Sequence, residues 1–92
     1  LGVREDERLV LFSGRLQRSK GIDTLLHAMA GLRLLDPALA ARTVLAVLGR
    51  GRQGRLMRAL ATRLGIADRV RFVGAVPFAE VPRYYAAADL FV

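Results

Sequence analysis

The 92 residues contain no cysteine, which excludes disulfides and thiolate chemistry and fits a reducing cytoplasm. There is one histidine, His27, flanked by Leu26 and Ala28, and no serine or aspartate is patterned with it as a nucleophilic triad. The acids Asp23, Asp36, Asp68, Glu80 and Asp89 stand apart without metal-ligand spacing, so neither a metal nor another cofactor is expected. No apolar run approaches the ~20 residues of a membrane span, and no signal-peptide pattern is present. Lysine is nearly absent too: of fifteen basic residues, Lys20 alone is not an arginine.

What is present is apolar and basic. Hydrophobic residues make up 53% of the chain, which argues against disorder, and the formal charge is +7. That charge fits a phosphorylated ligand, nucleic acid or an anionic membrane, or arginines that are merely solvated on helix faces. A chain this short buries roughly 60–65% of its unfolded surface, so it is one domain, or part of one, with a modest core. It opens on Leu1 and ends in the apolar Leu90-Phe91-Val92, which reads as a strand just beginning. A fragment of a larger domain is therefore expected.

Short apolar runs at Leu9–Ser13, Thr43–Gly49 and Val70–Gly74, with the start of another at Leu90, read as buried strands. Ile22, Leu25, Leu26, Met29 and Leu32 form a helical stripe that Asp36-Pro37 should end. A second helix places Leu56, Met57, Leu60, Ala61 and Leu64 on one face, with Gly65 as its cap. A third runs from Glu80 to Ala88 with Pro82 in its first turn. The order β-α-β-α-β-α-β, with no hairpin signal, predicts an α/β, Rossmann-like parallel sheet. Ligands of such sheets bind at the carboxyl ends of the strands, where the loops Gly14–Lys20, Gly49–Gly54 and Gly74–Phe78 lie.

The first loop, Gly14-Arg15-Leu16-Gln17-Arg18-Ser19-Lys20-Gly21, carries the strongest chemical signal. Gly14 permits a sharp turn, Arg15 offers a planar fork of donors, and Lys20 offers a compact charge. The helix that follows adds backbone N–H groups and a positive dipole end. Together they describe a diphosphate pocket; the alternative is a surface turn with solvated cations. The segment lacks the Gly-Lys-Ser/Thr ending of a P-loop, and no Gly-x-Gly-x-x-Gly follows the first strand. Gly49-Arg50-Gly51 is a weaker signal, either a backbone approach to a ligand or a flexible turn. Asp89 reads as a turn residue, and Tyr84-Tyr85 read as packing against the sheet.

The segment from Gly14 to Leu26 (Gly-Arg-Leu-x-x-x-Lys-Gly-Ile-Asp-x-Leu-Leu) resembles the start of the C-terminal domain of GT-B glycosyltransferases of the group 1, or family 4, type. So do the strand ending at Gly49-x-Gly51, Val70-x-Phe72-Val73-Gly74-x-Val76-Pro77, and Tyr84-Tyr85-Ala86-Ala87-Ala88-Asp89-Leu90-Phe91-Val92. The likeness covers residues 8 to 92 in four segments in order. It implies that 1–92 is part of a nucleotide-sugar-binding domain, in an enzyme that moves a sugar from a nucleotide-diphosphate donor to an unknown acceptor hydroxyl with retention. It assigns Arg15 and Lys20 to the donor diphosphate as catalytic cations, beside Gly14 and Gly49, and puts the base near Val76 and Pro77. The family's paired glutamates and N-terminal acceptor domain are not in this chain, so the fragment alone should be inactive. The resemblance also implies carbohydrate biosynthesis in the cytoplasm, with any peripheral membrane contact falling to the N-terminal domain. No nucleic-acid partner is expected, because the arginines form no stripe and the phenylalanines form no exposed platform. The competing reading is a non-catalytic basic α/β module that binds nucleic acid or other phosphate ligands. Within the fold, a phosphorylase, a synthase or a dead homologue also remain open.

Overall fold

Alternating strands and helices meet the parallel pairing they predict. The structure, a computed structural model, describes residues 4–13, 21–49, 51 and 53–91, and of Phe78, Tyr85 and Phe91 the backbone only. The strands are β1 (Arg8–Ser13), β2 (Thr43–Leu48), β3 (Val70–Gly74) and β4 (Leu90–Phe91). The helices are α1 (Ile22–Leu35), α2 (Pro37–Ala41), α3 (Gly54–Arg63) and α4 (Val81–Ala87). The four strands form one sheet in the order β3-β2-β1-β4, with every pair parallel. The chain therefore builds outward from β1 to β3 and then crosses to the other side of β1. Such a reversal leaves a crevice at the carboxyl ends of β1 and β4.

The two sheet faces follow from strand alternation. Val10 and Phe12 of β1, Leu45 and Val47 of β2, and Val70 and Phe72 of β3 face α1 and α3. There they meet Ile22, Leu26, Met29, Leu60 and Ala61. Leu9, Leu11, Val44, Ala46 and Leu48 line the opposite face, where Val76, Tyr84 and Ala88 pack on them. All six residues of β2 are buried, as befits a strand with a neighbour on each side. Each fully buried leucine of this kind stabilises the fold by roughly 1.5–3 kcal/mol.

The helix ends are set by specific chemistry. Gly21, with φ 72°, caps the start of α1, and its carbonyl accepts from the Leu25 N–H at 3.1 Å. Asp36 both ends α1 and starts α2: its N–H donates to Leu32 O at 2.8 Å, and its Oδ1 accepts from Leu39 N–H at 3.1 Å. The chain thus turns into one more short helix at Pro37, where the sequence reading ended α1 and expected none. Asp followed by Pro is a cap followed by a first helical residue, and that pair carried the signal. A second difference is Leu56, which was expected on the buried face of α3 but is 58% exposed. Met57, Leu60, Ala61 and Leu64 set the direction of that stripe, and at 3.6 residues per turn Leu56 lies about a quarter-turn off its centre.

Candidate functional site

The sequence reading puts the site residues at the carboxyl edge of the sheet, and part of that edge is described. Gly14, Arg15 and Lys20 lie outside the described residues. What frames them is described: β1 ends at Ser13, beside the reversal of strand order, and the chain is described again from Gly21, the cap of α1.

Gly49 is described and sits on this edge. β2 and β3 run in register to Val47 opposite Phe72, but Leu48 pairs with Gly74, so Val73 is an extra residue in β3. The bulge re-aims the end of the strand. It brings Gly74 to Gly49, whose N–H donates to the Gly74 carbonyl at 2.7 Å. Between these strand ends lies an open cavity of about 440 Å³, bounded by Gly49, Gly51, Gly54 and Gly74 and by Arg55 and Arg58. Arg58 is exposed and lies against β3. Its guanidinium carbon lies 4.8 Å from the centre of the Phe72 ring, and Nη2 donates to the Phe72 carbonyl at 3.5 Å.

Val76 and Pro77 do not line this cavity. Val76 is half-buried against the opposite sheet face, and Pro77 is exposed, its carbonyl accepting from Glu80 N–H at 2.8 Å. The pairing of Arg58 with Phe72 is absent from the sequence reading because fourteen residues separate them, one on α3 and the other on β3. No local spacing announces such a pair.

A larger cavity, about 580 Å³, opens at the amino end of β1 beside α4. Its lining mixes Arg4, Arg8 and Arg83 with Glu5, Glu80 and Asp89. Asp89 is committed to structure there. Its Oδ2 accepts from Leu9 N–H at 2.8 Å, and its N–H donates to Leu9 O at 2.9 Å, starting the β1–β4 pairing as a turn residue should. Glu7 and Arg69 are joined at 2.7 Å, and Glu7 Oε1 accepts from Arg4 N–H at 2.9 Å. These bonds, the Arg4 backbone N–H first and the Arg69 guanidinium second, hold the Glu7 carboxyl below its ordinary pKa against the opposing effect of burial.

Besides Arg58, three of the described arginines bond backbone carbonyls. Arg33 donates to Gly65 O, Arg69 to Ala41 O, and Arg71 to Asp68 O at 2.7 Å. His27 is exposed on the outer side of α1. Among the described residues, no three His, Cys, Asp or Glu side chains gather as a metal site. No helix of the described residues is long and apolar enough to cross a membrane.

Comparison with known proteins resolves the family. The model of the glycosyl transferases group 1 family matches residues 1–92. The chain belongs to that family. The group 1 chain is 47% identical to a D-inositol 3-phosphate glycosyltransferase of Thermobifida fusca and 44% identical to that of Thermomonospora curvata. Each likeness covers 100% of this chain and 22% of the relative, so the chain spans about a fifth of the relatives it matches. Among solved structures it superposes on WaaG, a glycosyltransferase involved in lipopolysaccharide biosynthesis. The TM-score is 0.85 at 33% identity, over 98% of this chain and 23% of that one. It shares the fold of the C-terminal domain of LpcC, a group 1 protein of Francisella tularensis, with TM-score 0.74 at 18% identity over 97% of this chain and 46% of that one. The α/β, Rossmann-like architecture is thus that of a GT-B glycosyltransferase.

Proposed function

We propose that the protein carrying this group 1 segment transfers a sugar from a nucleotide-diphosphate donor to an acceptor hydroxyl with retention, and that residues 14–20 hold the donor diphosphate. The observation that carries the reading is the strand order β3-β2-β1-β4, because the reversal beside β1 is where open α/β sheets take ligands and Gly14–Lys20 is the segment that follows β1. As the glycosidic bond breaks, negative charge grows on the leaving diphosphate. Cations already fixed there stabilise the transition state more than the ground state, which is the role given to Arg15 and Lys20. In this reading they do the work without a metal, in keeping with acids that form no ligand cluster in the sequence. The base lies toward the ends of β2 and β3, near Gly49 and the backbone of Val76 and Pro77. The relatives' name makes D-inositol 3-phosphate the first acceptor to assay. The cytoplasm, or its membrane face, is the compartment this reading assigns.

The test is transfer by the full-length protein with Arg15→Ala and Lys20→Ala variants, in the presence and absence of a chelator. Each substitution should lower kcat by about 100-fold or more, and the chelator should change nothing. The anomeric configuration of the product, read by NMR, checks retention. Variants that transfer at the parent rate would remove the diphosphate role from this loop.

A further inference from the structure

We infer that Arg58 selects the base of the donor nucleotide, favouring uracil or guanine over adenine. The inference rests on the donor-site reading above and adds a specificity to it. It begins from the contrast between the two cavities. The one at the amino end of β1 mixes carboxylates with arginines, whereas among the described residues the one between β2 and β3 is bounded by glycines, Val47, Phe72 and two arginines, with no carboxylate. An acceptor-rich ligand is favoured in the second and finds no such environment in the first.

Distance then separates base from phosphate. With the diphosphate at the end of β1, the end of β3 lies two strand spacings away, roughly 10 Å. A ribose bridges a diphosphate and its base over a span of that order. The β2–β3 cavity therefore stands where the base falls. Its floor is backbone, through Gly49 and Gly74, and its polar wall is Arg55 and Arg58, of which Arg58 is the one set against Phe72.

Arg58 is suited to discriminate because it can only donate. A guanidinium carries five N–H groups and no acceptor. The side chain is exposed, with Nη2 3.5 Å from Phe72 O and the guanidinium carbon 4.8 Å from the centre of the Phe72 ring, so β3 orients it while other donors remain. Among the described residues it is joined to no carboxylate within 4.0 Å. Uracil offers carbonyl oxygens, and guanine offers O6 beside N7. Adenine offers N7 beside an amino group, which turns a donor toward a donor. Arg58 is exposed in the free protein, so discrimination arises as a bound base covers its donors and adenine leaves one of them unpaired.

The experiment is calorimetric titration of the full-length protein with UDP, GDP and ADP, for the parent and for Arg58→Ala, Arg58→Gln and Arg15→Ala. The parent should bind UDP or GDP roughly tenfold or more tightly than ADP. Arg58→Ala should remove most of that gap. Arg58→Gln should move the preference toward ADP, since a glutamine amide can pair with both N6 and N7 of adenine. A ratio of affinities within one preparation is insensitive to the fraction folded, so a weakened variant still answers. ADP bound as tightly as the others by the parent, or a preference that survives Arg58→Ala, overturns the role of Arg58. If Arg15→Ala still weakens every nucleotide, the donor site itself stands. If none of the three binds the parent, both readings fall.

Discussion

Arg69 joins three segments through one side chain: it reaches Ala41 O at the end of α2, Glu7 before β1, and lies itself at the entry to β3. Its Nε is buried without a partner, so the planar fork of the guanidinium carries the load. Glu7 is the other half of this joint and is nearly fully buried, with 7% of its surface exposed. A charged carboxylate persists there because an N–H and a guanidinium compensate it. The folded-state pKa lies below the ordinary 4.5, so the unfolded chain takes up this proton first as the pH falls. The contribution of Glu7 is therefore complete above that value, declines below it, and is gone once the pH has passed through the lowered folded value. Thermal unfolding of the full-length protein between pH 7 and pH 3 checks this. The parent should lose stability on the acid side, and Glu7→Gln should show a smaller loss over the same range, starting from a lower melting temperature. An equal acid-side slope in both would show that Glu7 has no part in it.

Helix ends show what one residue does for an element. α3 closes on Leu64 and Gly65, with Gly65 N–H donating to Thr62 O at 3.1 Å and Ile66 N–H to Ala61 O at 3.0 Å. That pair of bonds, with Ile66 buried in the same cluster as Leu60 and Ala61, is a Schellman closure and requires a left-handed residue. Gly65 supplies it at φ 76°, and a Cβ there would stand 3.2 Å from Arg33 Nη1, the group that ties α1 to the Gly65 carbonyl. Gly65→Ala should therefore destabilise the domain by about 1–2 kcal/mol, measured by urea unfolding. A neutral result would mean that α3 ends some other way. This closure was legible in the sequence because glycine after an apolar stripe has few other uses. So were the strands and the α1 stripe, since their periods are set by burial of one side or both. The position of Leu56 was not, because an apolar residue at the margin of a stripe is assigned by the sheet it fails to reach. The β3 bulge was not either: an extra residue in one strand is defined only by its partner.

At the scale of the whole molecule, the question is which part of the sheet bears the site. Motif order made the family legible from the chain alone, and Arg15 and Lys20 fall outside the described residues. The pairing of Arg58 with Phe72 was hidden, since it exists only once β3 lies beside α3. Gly49 and Gly74 stand at the carboxyl ends of strands, and a loop is positioned only as well as the strand beneath it. β2 has neighbours on both sides and six buried residues, and β1 pairs with β2 along its full length but with β4 at only two positions. β3 is buried fully only at Val70, and β4 leaves Leu90 59% exposed. Local opening should follow that order, because its cost rises with the buried contacts and hydrogen bonds that must break. Native-state hydrogen exchange on the full-length protein should therefore find β2 slowest, β1 next, and β3 faster at its Gly74 end than at Val70. Adding the nucleotide that binds should slow exchange at Gly49 and Gly74 more than in the middle of β2, where protection is already near its ceiling. Exchange at Gly49 and Gly74 that ignores the nucleotide would separate the β2–β3 cavity from the donor, however well the loop after β1 binds phosphate.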